Sequence, residues 1–194
     1  MRIKFFLYKA RWFVPQVINV IKLRIRHIPY GNRLSTVGPL FIRGTGSISI
    51  GENVTINSCL EANPIGGDTR TILYAKDKGR IIIGNNVGIS NTAIVALNMI
   101  IIEDNVLIGG GCKIYDHDFH SLQYEDRVIG PDVNVRNGSV IIQEGAFIGA
   151  NSIILKGVII GRHSVVGAGS VVTKNIPDNE IWAGNPAKKV RELL

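Results

Sequence analysis

The feature that most constrains this chain is a run of aliphatic residues that recurs every six positions near its end. The run consists of Ile142, Ile148, Ile154, Ile160, Val166 and Val172. Helices repeat at about 3.6 residues and strands at about 2, so a strict period of six fits neither element alone. It indicates a short strand followed by a turn, with one side chain of each repeat pointing into a stack. Three such hexapeptides form one triangular coil, and the sequence therefore predicts a parallel β-helix.

The same spacing of six occurs earlier in the chain, with interruptions, at Ile50, Ile56, Ile83, Ile89, Ile102, Ile108 and Ile114. The surplus of residues after Ile56 predicts an inserted loop near residues 62–79, and the surplus after Ile114 predicts an excursion over residues 115–141. Repeat proteins place such insertions as loops that leave the solenoid, often on the binding side. We therefore predict a β-helix over residues 46–177 with an extended loop at 115–141.

The net charge of +7 is concentrated at the start of the chain. Residues 1–51 hold nine Lys and Arg and no Asp or Glu, and over residues 1–30 these bases alternate with aromatic and aliphatic residues. Pro15 should break or kink any helix there, which predicts two short amphipathic pieces. No run reaches the roughly 18–20 uncharged residues that a spanning helix needs. The small-residue cleavage site of a signal peptide is also absent from this sequence.

Two interpretations of the basic N-terminal segment, residues 1–45, stay open. The first is a helical cap that covers the first coil and supplies contacts between subunits. The second is a peripheral membrane anchor in residues 1–30, with aromatic side chains at the acyl boundary and bases on anionic lipid. Nucleic acid is not an expected partner, because no recognised binding module accompanies the segment.

The residues best suited to catalysis lie at the start of the 115–141 excursion, where Asp116, His117, Asp118 and His120 follow a strand. Histidine, with an ordinary pKa of about 6.5, is the natural general base at neutral pH. An adjacent carboxylate can fix the tautomer of the ring and stabilise the imidazolium that forms. A solvated polar loop would have the same composition, so both interpretations stay open on residue types alone.

The last residues, 178–194, are predicted to close the solenoid. Asn185 can cap a short helix that runs to Leu194, and Pro186 can occupy its first turn. The basic residues of that helix would then cluster beside the last coil. They can serve as a solubilising cap, as partners of a polyanionic ligand, or as both.

The repeats, the DHDFH loop and the tail VVTKNIPDNEIWAGNPAKKVRELL together resemble the hexapeptide-repeat acyltransferases. Within that family the chain is most similar to the maltose, galactoside and bacterial-polysaccharide O-acetyltransferases, over residues 46–194. The resemblance implies an all-β fold, a left-handed parallel β-helix, with acetyl-coenzyme A bound in a groove between the subunits of a homotrimer. The first 45 residues lack the helical domain of the maltose-type enzymes, which disfavours a simple free sugar as acceptor.

The resemblance also implies roles for individual residues. His117 matches the catalytic base of the family, and His120 matches a second histidine of the same loop. Asp116 or Asp118 would hold the ring of the base, and Asn91 matches an acceptor-binding asparagine. No metal is implied. The residues that match cofactor-binding positions are Ala150, Ala168, Thr173, Lys174, Lys188 and Arg191.

These observations predict a cytoplasmic, acetyl-coenzyme A-dependent O-acetyltransferase that acts on a sugar hydroxyl of a cell-surface polysaccharide or of its lipid-linked precursor. The alternatives are an N-acetyltransferase of an amino or nucleotide sugar and a non-catalytic, membrane-associated scaffold. A zinc carbonic anhydrase on the same fold would need three histidines that meet between subunits. His27 and His163 lie outside such positions, so this activity is not expected.

Overall fold

The structure is a computed structural model that describes residues 2–130 and 133–193, with the backbone alone for residues 2–10. Helix α1 (Arg2–Ile25) comes first in the described chain, and helix α2 (Tyr124–Ile129) lies between the eleventh and twelfth strands. The described strands are β1 (Ser35–Val37), β2 (Phe41–Arg43), β3 (Ser47–Ile50), β4 (Thr55–Asn57), β5 (Ile72–Ala75), β6 (Arg80–Ile83), β7 (Gly88–Ser90), β8 (Ala93–Ala96), β9 (Met99–Ile102), β10 (Leu107–Ile108), β11 (Lys113–Tyr115), β12 (Val140–Ile142), β13 (Phe147–Ile148), β14 (Ile153–Ile154), β15 (Ile159–Ile160), β16 (Val165–Val166), β17 (Val171–Val172), β18 (Glu180–Gly184) and β19 (Ala187–Glu192).

Consecutive strands belong to different sheets, so the chain winds as a coil. The first sheet has the order β1-β4-β7-β10-β13-β16-β18-β19, the second β17-β14-β11-β8-β5-β2, and the third β15-β12-β9-β6-β3. Neighbouring strands are parallel in all three sheets, except for the antiparallel pair β18 and β19. The prediction of a parallel β-helix is therefore confirmed.

The core consists of the aliphatic stack that the period of six predicts. Across neighbouring coils, the pairs of this run are Ile142 with Ile160, Ile148 with Val166, and Ile154 with Val172. All six side chains are buried. Burying one such side chain stabilises the fold by roughly 1.5–3 kcal/mol, and each coil contributes one from each sheet.

The corner between the third and first sheets is formed in each coil by a residue in the left-handed backbone region. These residues are Asn53, Asn86, Asn105, Gly145, His163 and Asn179, with φ between 55° and 70°. Asparagine tolerates this conformation better than most side chains. The amides of Asn53, Asn86 and Asn105 also form a ladder, with donor–acceptor distances of 2.9 and 3.1 Å. This explains why the polar pairs EN, NN and DN recur at these corners of the sequence.

Helix α1 covers the open end of the first coil through polar side chains. Asn19 is fully buried, and its Nδ2 donates to Thr36 Oγ1 and to the Gly38 carbonyl at 3.0 and 2.9 Å. Its Oδ1 accepts from the Leu40 amide at 3.0 Å. Gln16 similarly accepts from the Thr36 amide at 3.1 Å. The helix thus supplies hydrogen bonds that a preceding coil would otherwise supply.

Our expectation that Pro15 divides this segment into two pieces is wrong, because α1 is continuous through Pro15. A proline inside a helix costs about 3 kcal/mol, since it removes one backbone hydrogen bond and crowds the preceding turn. The hydrogen bonds that Gln16, Asn19 and Lys22 make to the first coil lie within two turns of Pro15 and hold the helix against it.

The predicted C-terminal helix is also wrong: residues 180–192 form an antiparallel hairpin of β18 and β19. Strand β18 extends the first sheet by pairing with β16, which would leave the backbone groups of its other edge unpaired. β19 pairs with that edge and supplies partners for those backbone groups.

Both predicted insertions are present. The first lies between β4 and β5, over residues 58–71, and contains a single 3₁₀ turn at Pro64–Gly66. It is therefore shifted from the expected range of 62–79, because Ile72–Ala75 pairs with β2 as a regular strand. The second lies between β11 and β12 and contains α2; its residues 131 and 132 lie outside the described part of the chain.

Replacing Asn19 tests how α1 is held on the solenoid. Asn19→Ala leaves the buried Leu40 amide and Gly38 carbonyl without partners, so we expect the free energy of unfolding to fall by about 1–3 kcal/mol. Hydrogen exchange at the Leu40 amide should become faster, as measured by NMR or mass spectrometry. Ile18→Ala is the matched control, because Ile18 lies next to Asn19 but faces outward. Equal exchange in the two variants would contradict this docking.

Candidate active site

Asp116 is a fully buried carboxylate at the point where the chain leaves the second sheet. Its Oδ1 accepts from the Leu97 amide at 2.8 Å, and its Oδ2 accepts from the Asn98 amide at 2.7 Å. Those two amides lie at the same corner one coil earlier. The carboxylate therefore replaces the backbone acceptors that are lost when the chain departs into the 115–141 excursion.

The ring of His117 is buried and lies against Asp116. His117 Nδ1 and Asp116 Oδ1 are 2.8 Å apart. A carboxylate only accepts, so Nδ1 carries the proton and Nε2 keeps its lone pair. Of the two carboxylates considered from the sequence, Asp116 is the one whose oxygen contacts the ring. The pair has the geometry that a histidine base and an orienting carboxylate need.

Asp118 contacts the next coil, where Lys156 Nζ approaches its Oδ1 at 2.5 Å. The backbone of Asp118 is also fixed, because its amide donates to the Arg136 carbonyl at 3.0 Å. Lys156 was not singled out in the sequence analysis. Lys156 follows the inward residue Ile154 by two positions, as Asp116 follows Ile114, so aligning the coils would have placed Lys156 and Asp116 at the same corner.

Phe119 forms an apolar wall beside the imidazole. Its ring centroid lies 4.4 Å from that of His117 and 5.0 Å from that of Tyr115. The backbone of Phe119 has a φ of 63°, which is uncommon for an aromatic residue and costs on the order of 1–3 kcal/mol. Burial raises the pKa of Tyr115, so its hydroxyl stays neutral at physiological pH. His120, in contrast, is exposed.

Six of the predicted residues fall into two rows at opposite ends of the strands of the second sheet. The first row holds His117, Thr173 and Lys174, after the strands, and the second holds Asn91, Ala150 and Ala168, before them. Leu97 lies at the level of the first row, because its amide donates to Asp116. Asn91, in the second row, precedes Leu97 by six residues, and at about 3.3 Å per residue this offset corresponds to roughly 15–20 Å. A single chain therefore does not bring the two rows together.

Asn91 itself anchors the 58–71 insertion. It has a φ of 47°, and its Nδ2 donates to the Thr69 carbonyl at 2.7 Å. Gly66 of the insertion lies so close that a Cβ there would sit 2.4 Å from Asn91 Cβ. The Oδ1 atom of Asn91 is buried and has no hydrogen-bond partner among the described residues. The side chain thus has a structural contact that its predicted role in acceptor binding does not account for.

Around Ala150 and Ala168, the second row is lined by very small residues. A Cβ at Gly109 would lie 2.6 Å from the Ala150 amide nitrogen, and one at Gly149 would lie 2.5 Å from that of Ala168. Successive coils therefore contact one another through backbone at this corner. With nothing larger than a methyl group on Ala150 and Ala168, backbone groups there can be approached by a slender ligand.

A cleft of about 230 Å³ lies between the last coil and the hairpin. Three of the predicted cofactor-binding residues line it, namely Thr173, Lys174 and Lys188. The rest of the lining is formed by Trp182, Pro186, Ala187 and Lys189. Arg191 is not among the lining residues; its Nη1 donates to the Glu192 carbonyl at 3.0 Å. The cleft is thus largely apolar with a lysine rim.

The lysines of this cleft differ in their partners. Lys189 donates to Glu180 Oε1 at 2.7 Å, and together with Trp182 it lowers the pKa of Glu180. Within the described residues, Lys174 and Lys188 have no carboxylate within ion-pair distance. They are therefore the two bases of the cleft that can face an anionic ligand. No three His, Cys, Asp or Glu of the described chain lie close enough together to hold a metal ion.

Comparison with known proteins agrees with the fold. The family model described as "Bacterial transferase hexapeptide (six repeats)" matches residues 139–174, and "Hexapeptide repeat of succinyl-transferase" matches residues 99–114. WbbJ of Escherichia coli strain K12, a candidate lipopolysaccharide biosynthesis O-acetyl transferase, is 31% identical over 160 residues. That match covers 79% of this chain and 76% of WbbJ.

Two solved structures are also similar. AntD, an N-acyltransferase from Bacillus cereus in complex with dTDP and 3-hydroxybutyryl-CoA, has a TM-score of 0.67 at 28% identity, and the match covers 86% of this chain and 83% of AntD. A galactoside acetyltransferase in complex with coenzyme A has a TM-score of 0.62 at 26% identity, and the match covers 92% of this chain and 72% of that one.

Disrupting the contact between Asp118 and Lys156 tests whether the excursion is held by the next coil. Lys156→Met removes the partner of a mostly buried carboxylate, so we expect the excursion to lose about 1–3 kcal/mol of local stability. Limited proteolysis within residues 117–137 should then become at least several-fold faster. Lys113→Met is the control, because Lys113 is an exposed lysine on the same sheet. Unchanged cleavage in Lys156→Met would contradict the role of this pair.

Proposed function

This chain belongs to the hexapeptide-repeat acyltransferases, which have a left-handed β-helix, and from that membership we propose that it is an acetyl-coenzyme A-dependent O-acetyltransferase. The proposed acceptor is a sugar hydroxyl, and the proposed general base is His117. The observation that carries the proposal is the buried contact of 2.8 Å between His117 Nδ1 and Asp116 Oδ1, which leaves Nε2 as a base.

The proposed reaction is a direct transfer between two substrates. His117 Nε2 takes the proton of the sugar hydroxyl while that oxygen attacks the thioester carbonyl carbon. A C–O bond forms, the C–S bond breaks, and the proton passes from His117 to the departing thiolate sulfur. Asp116 stabilises the imidazolium that exists between these steps. Such a base contributes roughly 10²- to 10⁴-fold to the rate.

The proposal needs no covalent acetyl-enzyme. Cys112 is a described thiol near the small-residue corner, but it is buried, and burial raises its pKa. A buried thiol with a raised pKa is a poor nucleophile. Charge on the thioester oxygen would instead be stabilised by backbone N–H groups, for which the corner at Ala150 is the candidate.

We propose that the working enzyme is a homotrimer with the site between subunits. The two rows of candidate residues lie at opposite ends of the strands of one sheet, so the His117 row of one chain can meet the Ala150 row only in another chain.

Acetyl-coenzyme A would then lie between the two rows, with Ala150 and Ala168 beside its slender arm. Lys174 and Lys188 would meet its phosphates, and Thr173 would lie nearby; Arg191 is a further base at that end.

Asn91, on the second row, remains the proposed acceptor contact, and Asp118 and His120 support the His117 loop.

The proposed acceptor is a cell-surface polysaccharide sugar or its lipid-linked precursor, modified in the cytoplasm. The similarity to WbbJ supports an O-linked product, whereas the similarity to the AntD complex with dTDP favours a second candidate, N-acylation of a nucleotide-linked amino sugar. Mass spectrometry of surface polysaccharide from cells with and without the gene, together with assays on nucleotide-linked amino sugars, separates the two. Loss of an O-acetyl group supports the first.

Substitution of the two loop histidines tests the assignment of the base. His117→Ala should lower kcat by at least about 100-fold and leave the affinity for acetyl-coenzyme A nearly unchanged, because only proton transfer is removed. His120→Ala, in an exposed position of the same loop, is the matched control and should cost much less. If the two variants lose activity in the reverse order, His117 is not the base.

Mixing two inactive variants tests the shared site. His117→Ala damages one row and Ala150→Trp damages the other, so each alone should be inactive. In randomly mixed trimers about a quarter of the interfaces combine two intact rows, and activity should return in that proportion. Mixing His117→Ala with Thr173→Trp, both on the first row, should restore nothing. Light scattering must give three chain masses for every sample, and no gain from the first mixture would contradict a site between subunits.

A further inference from the structure

The outward face of α1 is apolar. Six of its large apolar side chains are between 39% and 72% exposed, namely Phe13, Val14, Val17, Ile18, Ile21 and Ile25. Their spacing of three and four residues places them on one side of the helix. Exposed apolar side chains that occur singly are ordinary, but a continuous face of this kind marks an interaction surface.

The polarity of α1 is the reverse of that expected for a surface helix. Normally the apolar stripe packs on the protein and the polar face meets water. Here Gln16, Asn19 and Lys22 face the solenoid beside the buried Leu23, and these three polar side chains hydrogen-bond to its first coil. Among the described residues, the packing of the chain therefore gives the apolar face no partner, and the docked face is already used.

The charges around this face identify the kind of partner. Arg11, Arg24 and Arg26 are exposed bases on or just after the described part of α1, and residues 1–51 contain no Asp or Glu. The described carboxylate that reaches this group is Glu61, which contacts Arg11 at 2.7 Å. A second copy of the helix would bring like charges together, which disfavours pairing of two such faces. An anionic surface complements both the apolar stripe and its basic border.

We propose that the outward face of α1 docks on a membrane of anionic phospholipids, with the helix lying in the plane of the interface. No helix in the described chain is long and apolar enough to cross a membrane, so the helix would lie on the surface. Its apolar side chains reach about 5–10 Å into the headgroup boundary, and each base near the surface raises the partition coefficient about five-fold. This surface is independent of His117 and of acetyl-coenzyme A.

Several copies of α1 in one assembly strengthen the binding. α1 covers one end of the solenoid, so copies related by a rotation axis along the solenoid present their outward faces on the same side. Binding of one helix then raises the effective concentration of the others at the membrane, which increases the overall affinity without new contacts.

Vesicle co-sedimentation of the full chain tests the proposal. Wild type should bind vesicles rich in phosphatidylglycerol, and bind weakly to pure phosphatidylcholine or at high salt. The double variant Ile18→Glu/Ile25→Glu should bind at least ten-fold less, because it puts charge on the apolar face without touching the docked face. The control Val128→Glu/Val190→Glu has the same change in net charge on exposed residues elsewhere and should bind like wild type.

Folding of both double variants is checked by circular dichroism and light scattering, so that a loss of binding is not a loss of structure. Equal binding by wild type and Ile18→Glu/Ile25→Glu overturns the proposal, as does the absence of binding by wild type. If the helix variant forms a smaller assembly while neither protein binds vesicles, the face is a contact between copies and the proposal is wrong.

Discussion

The structure depends on the stacking of one or two inward aliphatic side chains from nearly every short strand. Ile114, Ile154 and Val172, for example, follow one another in register along the second sheet. Strands of two to four residues have room for little else inside, and the corners must turn sharply, which the left-handed asparagine and glycine residues permit. All chemistry is thereby confined to the outward faces, the corners and the insertions. The candidate site lies at the corners and insertions because the repeat leaves it nowhere else.

Asp116 links the fold to the candidate chemistry. When the chain leaves the second sheet, the amides of Leu97 and Asn98 would lose their partners, and the Asp116 carboxylate accepts from both. The oxygen that accepts from Leu97, Oδ1, also lies 2.8 Å from His117 Nδ1. A rigid solenoid thus fixes the carboxylate, and the carboxylate fixes the ring, so the orientation of the base does not depend on the long excursion that follows. With His117 as the proposed base, these contacts would keep it preorganised although it sits on a loop.

The sequence alone was enough to predict features that depend on local spacing. The period of six predicted the sheets and their buried residues, and the pattern around His117 predicted the loop and its carboxylates. The failures involve contacts between residues distant in sequence. Pro15 is a local signal for the interruption of a helix and Asn185 a local signal for the start of one. Asn19 and the unpaired edge of β18 decide the structure instead, through tertiary hydrogen bonds. Predicting the separation of the two rows requires the register between the coils in three dimensions. The same register is required to predict that Lys156 contacts the excursion.

With α1 docked on a membrane as proposed, its position would set the height of the candidate site above the lipid. α1 covers the first coil, and β11, which leads to His117, is three strands beyond β2 in the second sheet. At about 4.8 Å per strand the base stands roughly 14 Å above the first coil, and the helix beneath adds about 10 Å. A sugar attached directly to a lipid headgroup would lie below this level, whereas the distal part of a lipid-linked oligosaccharide would reach it. Docking through α1 therefore favours an acceptor that is already several sugars long over a monosaccharide carried at the membrane surface.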